Sequence, residues 1–511
     1  MDNPPSIPEF FRDKSVFITG GSGFVGKVLV EKLLRSCPDL KSIYLLMRHK
    51  KGKTPRERIC AITDLPLFDS VRASDPDALQ KVKAVTGDVM ELDLGLSAED
   101  RRLLIDEVGI VVHCAASVRF DDPLHKAVIM NVRGTRELAR LALEMKKVEV
   151  VVHISTTYCN TDREVIGEQL YPACADWKET IAVAENADKH SLNVLTSKYI
   201  HPQPNTYTFA KSLGEHVVND MLAGRVPAVI FRPSIVISTA LEPFPGWIDN
   251  FNGPVGLLVA CGKGIVRTNH GNPEVILDYV PVDIVAKAII ISAWKQATFD
   301  NPKLVGVYNG SNNNLRNVTM GEMIELGRRI CWEAPVNSVL WYPAGGITRC
   351  VYLHWFKLIF YQLLPALVLD GAIKLAGHKP ILMRIQRRIY VATEAVRYFS
   401  NNQWQFKNER CLGLEDDLLP CDHGAFAYRK DEVDVYDFFK NATLGARKYL
   451  LNESDESLEG AKRHYRRMWA VAQVFNVVWY LALLWIVFVK VDVLSILDGK
   501  RRDFLVYLNE D

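Results

Sequence analysis

Tyr207 and Lys211 are the residues of this sequence whose types and spacing point most directly to chemistry. Four positions apart on a helix, a phenol and an ammonium project from one face, one turn from each other. The ammonium charge favours the phenolate and draws the phenol down from its ordinary pKa of about 10. A phenol placed in this way can hand a proton to a carbonyl oxygen. Tyr-x-x-x-Lys pairs are common by chance, so the elements around the pair have to decide what it means. The pair lies in the segment 205–221, which reads as a helix, and it follows a run of strand and helix patterns.

The first of those patterns is Val16-Phe-Ile-Thr19, a short β-branched and aromatic strand, followed by the helical spacing of Phe24 to Leu34. The glycines between them fall in a strand-to-helix turn. Gly20 suits the tight turn, Gly23 allows close approach of a pyrophosphate, and Gly26 lets helix and strand pack closely. Thr19, Ser22, Phe24 and Val25 share the turn and belong to the same binding set. A glycine-rich turn alone is a weak signal, but a strand before it and a helix after it make it a dinucleotide site. The second strand, Ser42 to Met47, ends in Arg48-His-Lys50-Lys51 where an NAD site would carry an acidic residue. A guanidinium grips a 2′-phosphate through two hydrogen bonds, so Arg48 favours NADPH over NADH. Lys53, Arg56 and Arg58 read as a solvated basic loop.

Three more strands keep the rhythm. Lys83–Thr86 precedes Gly87-Asp88-Val89, Ile110–His113 precedes Cys114-Ala115-Ala116-Ser117, and Val148–Ile154 precedes Ser155-Thr156-Thr157. Helical patterns near 97–107 and 124–146 separate them. Such alternation predicts an α/β fold, a doubly wound parallel-sheet Rossmann domain with ligands at the carboxyl ends of its strands. Asp88 and Val89 are placed to meet an adenine, and Cys114, Ala115 and Ala116 are small enough to let a dinucleotide pass. A hydroxyl at the end of the fifth strand can hold a substrate oxygen. Side chains alternate along a strand, so the choice among Ser155, Thr156 and Thr157 stays open.

Thr19-Gly20-x-x-Gly23-x-x-Gly26 and Tyr207-x-x-x-Lys211 resemble the two motifs of the extended short-chain dehydrogenase/reductases. Four longer phrases are similar to those of the animal fatty acyl-CoA reductases. They are Gly26-Lys-Val-Leu-Val-Glu-Lys-Leu-Leu-Arg35, His113-Cys-Ala-Ala-Ser-Val-Arg-Phe120, Arg232-Pro-Ser-Ile-Val236 and, most specific, Pro243-Phe-Pro-Gly-Trp-Ile-Asp-Asn-Phe-Asn-Gly-Pro254. The resemblance runs from about Ile7 to about Asn452. It implies NADPH-dependent reduction of a long-chain acyl-CoA to a primary alcohol and free CoA, through an aldehyde. It further implies Thr156, with Ser155 behind it, as the hydroxyl beside Tyr207 and Lys211. Asn131 would support the lysine, and Pro233 and Ser234 would join the cofactor contacts. The thiol leaves with the substrate, so neither Cys114 nor Cys159 needs a covalent role. Two other readings share parts of this pattern: a membrane-bound hydroxysteroid dehydrogenase, and a non-catalytic NADPH-binding scaffold. Neither accounts for both the 243–254 phrase and an intact Tyr-Lys pair.

With 511 residues and 48% hydrophobic content, the chain can form two to four units with large cores. The partition expected is a cofactor domain at 13–300, interrupted at 239–275 by a substrate-facing insertion. A connecting segment at 301–349 and a helical carboxyl-terminal module at 350–450 follow. A net charge of +2 gives no case for nucleic acid as a partner. The ten cysteines form no C-x-x-C pair, the first residues lack the features of a secretory signal, and no metal site is assigned. The catalytic part is therefore expected in the cytosol.

Apolar stripes near Trp355 and Phe360 suit either a helix core or an acyl-chain tunnel. The basic set of His378, Lys379, Arg384, Arg387 and Arg388 suits CoA phosphates, anionic headgroups or a solvated helix face. Residues 469–489 carry no charge over 21 positions, close to the ~20 needed to span a bilayer. This tail is expected to anchor the chain in membrane lipid, either as a transmembrane helix or lying in the plane. Lys462, Arg463, Arg466 and Arg467 would keep the preceding side in the cytosol. Endoplasmic reticulum and peroxisomal membranes remain alternatives, and a homodimer is an open expectation.

Overall fold

The computed structural model describes residues 4–49, 52–251, 254–299, 304–312, 317–429 and 433–485. Seven parallel strands form the central sheet: β1 (Ser15–Thr19), β2 (Ser42–Met47), β3 (Val82–Thr86), β4 (Val108–His113), β5 (Val150–Ile154), β6 (Ala228–Pro233) and β7 (Gly306–Gly310). Their spatial order is β7-β6-β5-β4-β1-β2-β3. The chain order reverses between β1 and β4, which opens a crevice at the carboxyl ends of those strands. Every residue of β1, β2, β4, β5 and β6 is buried. Helices cover both faces of a parallel sheet, and that is why these strands read as continuous apolar runs and not as alternating ones.

Four helices matter for the site. α1 (Phe24–Ser36) follows the glycine turn, and α2 runs over 124–144 with a π turn at Ile129–Arg133. α3 (Thr206–Leu222) starts where the Asn205 side chain accepts from the Thr208 amide, and α4 is Val282–Thr298. α3 packs beside α2 on one face of the sheet, and α4 packs on α1 on the other. The sequence pattern for 205–221 thus matches a real helix to within a residue at either end.

Residues 239–249 do not stand apart from the domain. Asp283, at the start of α4, accepts the amides of Ala240, Leu241 and Glu242. Glu242 in turn lies against Lys32, Arg35 and Lys287, and these cations hold its carboxyl at about 2 despite its burial. Trp247 stacks on Phe24 with ring centres 5.5 Å apart, and Asp249 pairs with Lys27. The first half of this stretch therefore braces the helix that follows the glycine turn. Asn252 and Gly253 of the same phrase lie outside the described residues.

The carboxyl-terminal part is helical: α5 (Val351–Leu375, with a π turn at Ile359–Leu363), α6 (Leu382–Asn401) and α7 (Leu458–Trp485). It is fastened to the sheet domain by a short strand, Gln405–Phe406, paired with Val165–Ile166. Glu168 reinforces the junction by accepting the amides of Asn309, Arg410 and Cys411. Among the described residues, α5 is long and apolar enough to cross a membrane, with a mean hydropathy of 1.6. The expected tail span begins inside α7, and its residues 486–489 lie outside the described residues.

Candidate active site

Four strand ends and α3 supply the site. Thr19 at the end of β1 ties two of them together: its carbonyl accepts the Cys114 amide at 3.0 Å, its hydroxyl accepts the Ala115 amide at 3.3 Å, and the same hydroxyl lies 2.6 Å from His113 Nδ1. Gly20 has φ of +75°, and a Cβ there would stand 2.6 Å from the Ala115 nitrogen. A Cβ on Gly26 would stand 2.5 Å from the Gly20 carbonyl oxygen. Gly23 is exposed at the start of α1, whose first amides face the crevice unused by any side-chain cap. This is a cradle that side chains would fill, made of backbone N–H groups at a helix N-terminus, and it fits a dinucleotide pyrophosphate.

At the end of β2, Arg48 is exposed and its guanidinium lies 3.3 Å from Asp88, beyond β3. Asp88 also accepts the Met90 amide, and Val89 is buried beside it. Arg58, read from the sequence as solvated, is instead half-buried. It donates to the Arg48 carbonyl at 2.6 Å and to the Ser22 hydroxyl at 3.4 Å, which puts a second guanidinium between the glycine turn and the end of β2. Burial and the neighbouring Arg48 charge lower its pKa. Two arginines that repel each other in this way leave a place for a multiply charged anion. Lys50 and Lys51 lie outside the described residues.

Tyr207 and Lys211 project from α3 into the same crevice. Lys211 is 3% exposed and donates to the Ile154 carbonyl at 2.6 Å, at the end of β5. Burial lowers its pKa to about 8. The Tyr207 phenol is pushed up by burial, and the Thr156 side chain, its hydrogen-bonding partner, acts against that rise. The expectation that the lysine charge draws the phenol down is therefore corrected. Desolvation is the largest influence, the opposing one comes from Thr156 and not from Lys211, and the phenol stays protonated around neutral pH. Thr156 and Ser155 face different partners: the Ser155 hydroxyl donates to Glu215 Oε1 at 2.5 Å, one turn of α3 beyond Lys211.

Asn131 sits in the π turn of α2 and does not touch Lys211. Its side chain accepts the Ser117 amide at 2.9 Å and donates to the Ser117 carbonyl at 3.1 Å, so it holds the loop that carries Cys114, Ala115 and Ala116. A Cβ on Gly214 would stand 3.0 Å from the Asn131 carbonyl, so this oxygen lies against α3 just beyond Lys211. Burial raises the Cys114 thiol to about 12, which keeps it an unreactive thiol. Pro233 closes β6, and Ser234 beyond it donates to Asp278 at 2.6 Å.

Sequence reasoning missed three features. Glu215 and Arg232, 2% and 0% exposed, form a double hydrogen bond at 2.6 and 2.7 Å. Burial alone would raise the Glu215 carboxyl, but the Arg232 charge and its hydrogen bonds bring it below the ordinary value. Phe120 stacks on Tyr207 with ring centres 5.5 Å apart. Phe399, near the end of α6, lies 5.2 Å from Phe120 and 5.3 Å from Tyr158, so the carboxyl-terminal module reaches the ring that stacks on Tyr207. The Arg232 and Phe120 positions stood inside quoted phrases; nothing local to Phe399 signalled its place.

A family model described as "Male sterility protein" matches residues 18–289, and a second with the same description matches residues 361–453. The chain is 38% identical to Fatty acyl-CoA reductase 1 of Xenopus laevis, a match that covers 95% of this chain and 93% of that protein. It is 37% identical to the Homo sapiens protein of that name at the same coverage, and 35% identical to Fatty acyl-CoA reductase 2 of Bos taurus over 93% and 92%. The chain belongs to the fatty acyl-CoA reductase family. It is an enzyme of that family with a nicotinamide-cofactor domain. Solved structures share its fold at low identity. The terminal R domain of the myxalamid PKS-NRPS pathway superposes with a TM-score of 0.58 at 19% identity, covering 87% of this chain and 93% of its own. The reductase domain of a Mycobacterium tuberculosis non-ribosomal peptide synthetase gives 0.55 at 21%, covering 88% and 94%.

Proposed function

We propose that this reductase converts long-chain fatty acyl-CoA to primary fatty alcohol and CoA, with NADPH as its reductant. The observation that carries the reading is a protonated Tyr207 phenol hydrogen-bonded to Thr156, one helical turn from Lys211, and stacked on Phe120, which Phe399 backs in turn. NADPH supplies, when bound, the hydride for each of two reductions. Arg48 and Arg58 would hold its 2′-phosphate, the turn from Thr19 to Gly26 its pyrophosphate, and Lys211 its nicotinamide ribose. Tyr207 donates its proton to the thioester oxygen, and the Thr156 hydroxyl steadies that oxygen. The resulting hemithioacetal expels CoA as a thiol and leaves an aldehyde. Reprotonated from solvent between the two reductions, the same phenol then protonates the aldehyde oxygen to give the alcohol. Ser155 acts from behind through Glu215, and Asn131 through the 114–117 loop.

The wider reading keeps a cofactor domain at 13–300, a link at 301–349, a module at 350–450 that closes the site, and a tail from 469 that holds the enzyme at a membrane with its catalytic part in the cytosol. The exposed apolar positions of α7, among them Val474, Val478 and Leu481, support that tail. The test is to incubate full-length protein with NADPH or NADH and acyl-CoAs of about twelve to about twenty-six carbons. Oxidised cofactor, free CoA and alcohol are then measured. NADPH oxidation with release of CoA and alcohol is expected, and Arg58→Ala should lose about tenfold or more of the preference for NADPH, the scale of one charge-assisted hydrogen bond. Turnover of a hydroxysteroid with none of any acyl-CoA would overturn the reading.

A further inference from the structure

Helix α5 is built inside out. A helix on a soluble protein turns its apolar stripe to the core and its polar face to water. The buried stripe of α5 falls at every fourth position, Leu358, Gln362, Ala366 and Asp370, and half of it is polar. Both polar members are fully used. Gln362 accepts the Arg267 amide at 3.0 Å and donates to Gln386 at 2.7 Å. Asp370 accepts the successive amides of Ile381, Leu382 and Met383 at 3.0, 2.9 and 2.8 Å, which caps the start of α6 and pins the two helices into a hairpin. The outward face carries Tyr352 (87% exposed), Phe356, Phe360, Leu367, Val368 and Leu375 (91% exposed).

The charges say what covers this face. Between residues 351 and 393 the sole acidic residue is Asp370, which is buried in its cap, whereas Lys374, Lys379, Arg384, Arg387 and Arg388 are all exposed beside the apolar face. Glu394 of α6, near His354, is exposed but paired with Arg397 at 3.1 Å, so the charge beside the apolar face stays mainly cationic and complements a bilayer with anionic headgroups. A second copy of the chain would set these cations against each other. The buried stripe of α5 is linked to the apolar part of α7 through Arg267 and Trp341. The Phe475 ring lies 5.6 Å from Trp341, the Arg267 guanidinium lies 5.6 Å over Trp341, and the Arg267 amide is bound by Gln362 of α5.

We propose that α5 lies in the plane of an anionic membrane as a second lipid contact, independent of the tail. It does not cross, because its buried stripe rests on the protein and leaves a single face for lipid. Helix α6 then links this contact to the chemistry. Its start is capped by α5, and about 25 Å further along, at 1.5 Å per residue, Phe399 meets Phe120, which stacks on Tyr207. The inference rests on the reading that the enzyme works at a membrane.

The test uses full-length protein carrying a photo-crosslinking p-benzoylphenylalanine at Val368, Leu375, Val478 or Val194, the last exposed on the helix Lys189–Tyr199 of the sheet domain. Each is irradiated in vesicles of phosphatidylcholine with and without phosphatidylserine, and adducts are read by peptide mass spectrometry. Lipid adducts at 368 and 375 but not at 194 are expected. They should be several-fold more abundant with phosphatidylserine, and that gain should be lost in the Arg384→Glu/Arg387→Glu/Arg388→Glu variant. Cross-links from 368 to a second copy, no lipid adducts at 368 and 375, or a yield indifferent to phosphatidylserine would overturn the inference. Adducts at 478 report separately on the tail, so failure of the α5 contact is distinguishable from failure of the membrane reading.

Discussion

Helices α3 and α5 both break the rule that polar residues face water and apolar ones the core, and they break it in opposite directions. α3 buries Lys211 and Glu215 in the middle of the protein, each satisfied by a named partner. α5 sends most of its leucines and aromatics outward and keeps Gln362 and Asp370 within. Burying polar groups is costly unless they are paired, so α3 carries that cost where a proton must be held away from water. Exposing a continuous apolar face is equally unfavourable in water, so α5 fits a different surrounding medium. One helix is explained by its chemistry and the other by its solvent.

The largest effect expected from this contrast is at Glu215. Glu215→Gln leaves the Arg232 charge buried with its partner gone and should destabilise the protein by about 3–5 kcal/mol, read as a shift in denaturant midpoint. A loss within the range of a surface substitution would mean that the α3 network is not the framework described. Next is the pair of hydroxyls at the end of β5. Thr156→Val should lower kcat by about a hundredfold with little change in stability, the scale of losing one donor to a developing oxyanion. Ser155→Ala should do the reverse, because its hydroxyl serves Glu215.

The pH response of Lys211 follows with a smaller effect. Its ammonium is present below about pH 8 and lost above it. NADPH binding to the free enzyme should therefore weaken by up to about tenfold between pH 7 and pH 9, and Lys211→Met should show no such step. The sign for stability is opposite. A lysine whose pKa is lower folded than unfolded is destabilising while protonated, so the ligand-free protein gains stability as pH rises from about 8 towards about 10.4. Lys27, also lowered by burial to about 8, adds to the same window. The smallest effect is at the outer face of α5. Leu375→Ser should change folding stability by no more than about 0.5 kcal/mol in solution, whereas Asp370→Ala should cost about 1–2 kcal/mol through the lost cap.

Much of the sheet domain was legible because its signals are local. Buried parallel strands write continuous apolar runs, the three spaced glycines fall within seven residues between a strand and a helix, and Tyr207 and Lys211 share a face because of helix geometry alone. What stayed hidden depends on residues that meet from distant segments. Arg58 reads as a solvated cation until the helix Pro55–Thr63 brings it to Ser22. The choice between Ser155 and Thr156 turns on a strand direction that only the packing of α3 fixes. Phe399 reaches Phe120 across 279 positions of chain, and no periodicity encodes that contact. The apolar spacing of α5 announced a helix correctly, but a period cannot say whether the stripe faces in or out. Its partners, Arg267, Gln386 and the amides of 381–383, decide that.

The central claim is that Tyr207 protonates the oxygen of an acyl thioester. The most direct measurement is single-turnover release of CoA from a long-chain acyl-CoA by the Tyr207→Phe variant, alongside NADPH binding followed by fluorescence. The account predicts that CoA release falls by about a hundredfold or more while NADPH affinity stays within about twofold, since only the proton donor is removed. Release of CoA at the wild-type rate by this variant would contradict it.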